Sequence, residues 1–175
     1  MLLDEIKAVS VEELIRLVRS IKVEEELKSE LRKAVQNFYD LNPSQQRLVG
    51  GLVAGLIHPS KRIDFLGFGR ENLKLEGLDR VGDCACIYSK NCVMSNIIEV
   101  GGSAFVFSEN GSLINVRRAG DYLFASSTNG LVYEVGSAGR YAFFDAENIV
   151  AFLGFVEEIY DPKSGIIVAQ GVGRV

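Results

Sequence analysis

The three cysteines are the residues whose type and spacing most invite chemistry: Cys84 and Cys86 with one alanine between them, and Cys92 six residues on. On a strand, side chains two apart leave the same face, so the first two thiols could converge on a metal or on a partner thiol. Zinc takes four ligands, usually offered as paired C-x₂₋₄-C knuckles. Here the spacing is C-x-C, and His58, the sole histidine, is the only fourth ligand in sight. Cys84, Cys86, Cys92 and His58 are therefore the metal candidates. Against them stands the simpler expectation that cysteine serves as a small buried apolar group, with redox or nucleophilic chemistry as a third reading.

His58 lies between a helical segment and Pro59. There an imidazole can bond the last helical carbonyls and complement the helix dipole. A histidine-dependent triad would have to use it, and no G-x-S-x-G elbow occurs to present a nucleophile. Gly67-Phe68-Gly69-Arg70 lacks the third glycine of a dinucleotide fingerprint, and the chain has no P-loop. No cofactor is expected.

Carboxylates and arginines supply the remaining candidates. Asp121, Glu134 and Asp145 fall on different predicted strands or turns, and a fold that gathered them could divide acid and base roles. Arg117, Arg118 and Arg140 could serve an anionic or nucleic-acid ligand, since Arg140 precedes the aromatic run Tyr141, Phe143 and Phe144. A solvated rim is the simpler expectation for both groups.

Composition narrows the classes. The 175 residues are 47% hydrophobic and 24% charged, with net charge −4. This is globular composition for one domain, or one domain with a helical extension. The acidic balance lacks the electrostatic footprint that attracts nucleic acid or anionic lipid. The first residues carry acids where a signal peptide needs an apolar run, and the apolar stretch Leu48 to Ile57 is about half of what a bilayer requires. With an odd number of cysteines as well, a cytoplasmic protein is expected.

The elements that must position these residues change character at His58-Pro59. Ser10 and Glu13 form a capping-box signature for a helix ending near Ser20. A second helix is predicted from about Val23 to Leu41, with Leu27, Leu31, Ala34, Val35 and Phe38 at helical spacing. Asn42-Pro43 opens a third, to Ile57. Its LVGGLVAGLI stretch sets Gly50 and Ala54, and Gly51 and Gly55, four apart. Such small faces suit a close crossing, either across a subunit interface or against the chain's own sheet.

Beyond Pro59 the pattern reads as short strands, among them 83–88, 93–100, 103–108, 112–116, 122–126, 131–135, 141–145, 149–159 and 166–170. Asn110-Gly111 and Asn129-Gly130 predict hairpins, because both residues tolerate positive φ. Tight turns between strands imply antiparallel pairing. The run IVAFLGFV predicts a central strand covered on both faces, and no internal repeat is evident.

The expected fold is α+β: a helical region, 1–58, packed on an antiparallel β-sandwich or barrel, 59–175, with one shared core. The expected function is a non-catalytic binding or assembly module that self-associates through helix 43–57 or through apolar strands. The alternatives are a histidine-independent enzyme with carboxylates at a barrel mouth, or an anion binder using the three arginines.

Overall fold

The computed structural model describes residues 3, 6, 9–56 and 62–173. Among the described residues three bounded helices precede the sheet: α1 (Val11–Ser20), α2 (Glu25–Gln36) and α3 (Pro43–Val53), with a 3-10 turn (Phe38–Asp40) between the last two. Ser10 caps α1 by accepting the Glu13 N–H, and Asn42 and Gln45 close a reciprocal capping box at α3. The second predicted helix stops five residues early, at Gln36, and tightens into the 3-10 turn. His58 falls outside the described residues.

Seven strands follow: β1 (Lys74–Glu76), β2 (Arg80–Val81), β3 (Val93–Val100), β4 (Ser112–Ala119), β5 (Leu131–Ala138), β6 (Ile149–Val156) and β7 (Gly165–Val172). Every pairing is parallel. The order is β1-β3-β4-β5-β6-β7, with β2 also beside β3. The chain is thus a β-solenoid and neither a sandwich nor a barrel, which overturns the antiparallel expectation. From β1 to β5, residues stacked on neighbouring coils are 19 apart, as in the Asn91–Asn110 and Asn96–Asn115 pairs, and from β6 to β7 the offset shortens to 16. The repeat that the sequence did not disclose is therefore a coil of 19 residues. Coils span 63–81, 82–100, 101–119, 120–138 and, one residue shorter, 139–156.

The predicted strands 83–88, 103–108, 122–126 and 141–145 are not strands. In each, every second residue has positive φ: Cys84, Cys86 and Tyr88; Ser103, Phe105 and Phe107; Tyr122, Phe124 and Ser126; Tyr141, Phe143 and Asp145. Their buried residues come in adjacent pairs or triplets, Ala85 with Cys86, Ala104 with Phe105 and Val106, and Leu123 with Phe124 and Ala125, so a short apolar run in the sequence does not separate such a ribbon from a strand. Left-handed backbone costs an L-residue roughly 1–2 kcal/mol. Lateral hydrogen bonding offsets it. The Cys84 and Tyr88 N–H groups donate to Gly102 and Val106 on the next coil, and Cys86 donates to Leu66 on the preceding one. Each coil is therefore a strand on one side and a hydrogen-bonded ribbon on the other.

Between the two sides, facing positions six residues apart trade volume. Gly67 faces Leu73, Cys86 faces Cys92, Phe105 lies over Gly111, and Phe124 over Gly130. The predicted Asn-Gly hairpins are absent for this reason. Asn110 and Asn129 do take positive φ, but each hands the chain from ribbon to strand. Their side chains belong to a ladder in which Asn91 donates to Asn72, Asn110 to Asn91 and Asn148 to Asn129. Gly111 and Gly130 are small because a phenyl ring fills the space beside them. Stacked asparagines and rings are the usual side-chain cement of parallel, in-register strands, and the Phe105 and Phe124 rings stack at 4.6 Å.

Helix α3 closes the first coil. Gly67 donates its N–H to the Gly50 carbonyl, and a Cβ on Gly50 would stand 2.5 Å from the Phe65 carbonyl oxygen. Gly51 lies as tightly between Val18 of α1 and Phe68. The small-residue faces of the third helix are thus taken up by its own chain. Helix and coil residues share one core cluster, from Leu14 and Leu48 to Val156. The IVAFLGFV strand is not covered on both faces: Val150 and Phe152 of β6 point outward and are exposed. No helix among the described residues is long and apolar enough to cross a membrane.

Candidate assembly interface

The polar candidates are spread around the solenoid. Asp121 opens the ribbon of the fourth coil, and its Oδ1 accepts the Arg140 N–H at 2.8 Å. Glu134 is in β5, where the register shifts, in line with Asn96 and Asn115. Asp145 ends the ribbon of the fifth coil and pairs with Lys163 at 2.9 Å. Two of the carboxylates therefore stand on ribbons and the third on the sheet side, each among its own neighbours. Arg118 is paired with Glu99 at 3.3 Å and Arg140 with Glu157 at 3.0 Å. Arg117, on β4, lines a shallow groove with Asn96, Asn115 and Glu134. Opposite charges thus already face two of the three arginines.

Cysteines meet in a different combination from the one the C-x-C spacing suggested. Cys84 is half-buried, and burial together with the nearby Asp83 and Asp64 carboxylates pushes its thiol up. Cys86 points into the coil, where its partner is Cys92 from the strand side of the same coil. The Cys92 sulfur beside it and its own burial hold the Cys86 proton on well above the usual thiol range. No cluster of three or more histidine, cysteine or acidic side chains suited to a metal ion exists among the described residues.

The feature left without a partner is backbone. Strand β7 pairs with β6 on one side, and no described strand pairs with its other edge. Its sequence, GIIVAQGV, carries neither charge nor proline, the devices by which edge strands are normally kept from pairing with another chain. Ile166, Val168 and Val172 are 61%, 51% and 60% exposed. The inward positions tell the same story. Ala151 and Leu153 of β6 are buried, whereas Ile167 and Ala169, their register partners on β7, are only half-buried because nothing stacks on them.

Next to this edge the outer sheet face is apolar. Leu131, Val150 and Ile166 form one row across β5, β6 and β7, and Tyr133, Phe152 and Val168 form another. The opposite end is built differently. Its edge strand β1 is three residues long and carries Lys74 and Glu76, paired with each other at 2.6 Å. Helix α3, with Arg19 of α1 bonded to the Gly69 carbonyl, covers the first ribbon. Sequence reading missed this asymmetry, although the uncharged GIIVAQGV run was its signal.

No protein-family model, curated protein or solved structure matches the chain.

Proposed function

We propose that this chain is a non-catalytic assembly module, a helix-capped β-solenoid that joins a second copy of itself through the free edge of β7. The observation that carries the reading is the contrast between the two ends. One end is capped, short-stranded and charged; the other presents eight residues of uncharged strand with half-covered inward side chains. A contact between unlike ends would propagate into a fibre, but two like edges close on themselves about a two-fold axis. Pairing β7 with β7 runs the strands antiparallel, satisfies the unpaired N–H and C=O groups, and makes the two apolar faces continuous.

The setting proposed is the cytoplasm, which suits three cysteines that are all free thiols. The arrangement gives no comparable support to catalysis by Asp121, Glu134 and Asp145.

Native mass spectrometry and light scattering test the reading. The expected species has twice the 19.2 kDa chain mass. The double variant I166K/V168K should return it to one chain mass with its circular dichroism unchanged. A wild-type protein that stays monomeric at tens of micromolar overturns the proposal, as does a dimer that the two lysines leave intact.

A further inference from the structure

The second coil departs from its neighbours at one level of the core. Where the third and fourth coils set a phenylalanine over a glycine, this coil sets Cys86 opposite Cys92. Both side chains are fully buried. The span they face is known from the adjacent coil: a Cβ on Gly111 would lie 2.6 Å from Cδ1 of Phe105, a ring carbon only two bonds beyond that residue's own Cβ. Paired Cβ positions are thus separated by little more than a disulfide bridges.

A second departure sits beside the first. Ser108 and Ser127 donate their hydroxyls to the carbonyls three residues back, Ser108 to Phe105 at 2.6 Å. Ser89, at the same position in the cysteine coil, is buried near Cys92 and its hydroxyl has no hydrogen-bond partner. Cys92 also lies 3.5 Å from the carbonyl oxygens of Arg70 and Lys90. At this coil the repeat has released a hydroxyl from its ordinary carbonyl partner and left it unbonded close to a sulfur.

We infer that Cys86 and Cys92 are a redox couple that closes to a disulfide joining the ribbon and strand sides of the second coil. While the coil is open, as during folding, and with a disulfide such as oxidised glutathione as oxidant, the Cys92 thiolate attacks one glutathione sulfur and expels a glutathione thiolate. The Cys86 thiolate then attacks Cys92 in the mixed disulfide and expels the second. Two electrons and both thiol protons end on two reduced glutathiones. Cys92 is the attacking sulfur because the Cys86 thiol beside it, against the opposing effect of burial, holds its pKa down to about 6. Cys84, outside the coil interior, takes no part.

The test uses full-length C84S, which leaves two thiols. One sample is incubated folded with oxidised glutathione and a second is refolded from denaturant in it; both are alkylated and digested with trypsin. Cleavage after Lys90 separates the two cysteines, so the expected product is peptide 81–90 linked to peptide 91–117. In the folded sample or the refolded one, that link, together with an unfolding midpoint a few degrees above the dithiothreitol control, supports the couple. Two alkylated thiols in both samples, or glutathione adducts that never resolve, overturn it.

Discussion

The ring of Phe105 occupies the space that a side chain at residue 111 would need. Its Cδ1 stands 2.6 Å from the Cβ position of Gly111, and Phe124 repeats the relationship with Gly130 at 2.7 Å. Glycine is required here by contact and not by backbone conformation. Gly111→Ala should therefore destabilise the fold by about 1–3 kcal/mol through overpacking. Phe105→Leu combined with it should recover part of the loss, since residues in contact couple. Chemical denaturation of the two single variants and the double reads this directly, and strict additivity would contradict the pairing.

Asn110 has both a ladder bond, at 2.9 Å to Asn91, and a φ of 54°. Asn110→Ala loses both advantages, whereas Asn110→Gly loses only the bond. The alanine variant should be the less stable by about 1 kcal/mol, the reverse of their order in a helix or strand interior. Equal midpoints in denaturant would show that the left-handed backbone at this position carries no cost.

Gly50→Ala places a methyl against the Phe65 and Asp64 carbonyl oxygens, at 2.5 and 2.9 Å. Neither is the end of a flexible side chain, so α3 must lift from the first coil. Lower stability is expected, together with faster hydrogen exchange in residues 64–69. Soluble species larger than the wild-type one should also form as the capped end opens. A variant with wild-type exchange in that ribbon would contradict the capping role.

Lys163 faces Asp145 at 2.9 Å and Glu147 at 3.3 Å, and their hydrogen bonds raise its pKa above the ordinary 10.5. A raised amine contributes stability that is full below its unfolded pKa and is lost as pH rises through the folded one. The unfolding midpoints of wild type and Lys163→Met should therefore differ at pH 8 and converge at strongly alkaline pH. A difference that widens with pH would reverse the assignment.

Local signals were legible and global ones were not. Ser10 with Glu13 and Asn42 with Pro43 announce their helix starts because a cap is a contact within four residues. The ribbon at Tyr122–Ser126 reads as a strand because a short aromatic and apolar run does not report the hand of the backbone. Asn129-Gly130 was read as a hairpin because the same dipeptide serves a ladder and a ring contact, and those neighbours lie 19 residues away. The repeat itself hid in substitution: the level that holds Phe105, Phe124 and Phe143 holds Cys86 one coil earlier and Gly67 before that. Through the fourth coil what recurs is a trade of volume across the coil, and the fifth departs from it by setting Phe143 six residues before Ile149. For the candidate site, the Cys86–Cys92 pair crosses from ribbon to strand, a juxtaposition that strand periodicity does not produce.

The 19-residue coil that repeats up to β5 makes this part of the molecule a ruler. Each added strand advances the stack by one inter-strand spacing, so β3 to β7 covers four steps, about 19 Å. Excising 101–119 as a block would leave Val100 running into Gly120 with every surviving residue still at its own level. The distance from the helical cap to the β7 edge would shorten by a single graduation. Length in this architecture is quantised, and chain insertions that are not whole coils would have to bulge out of it.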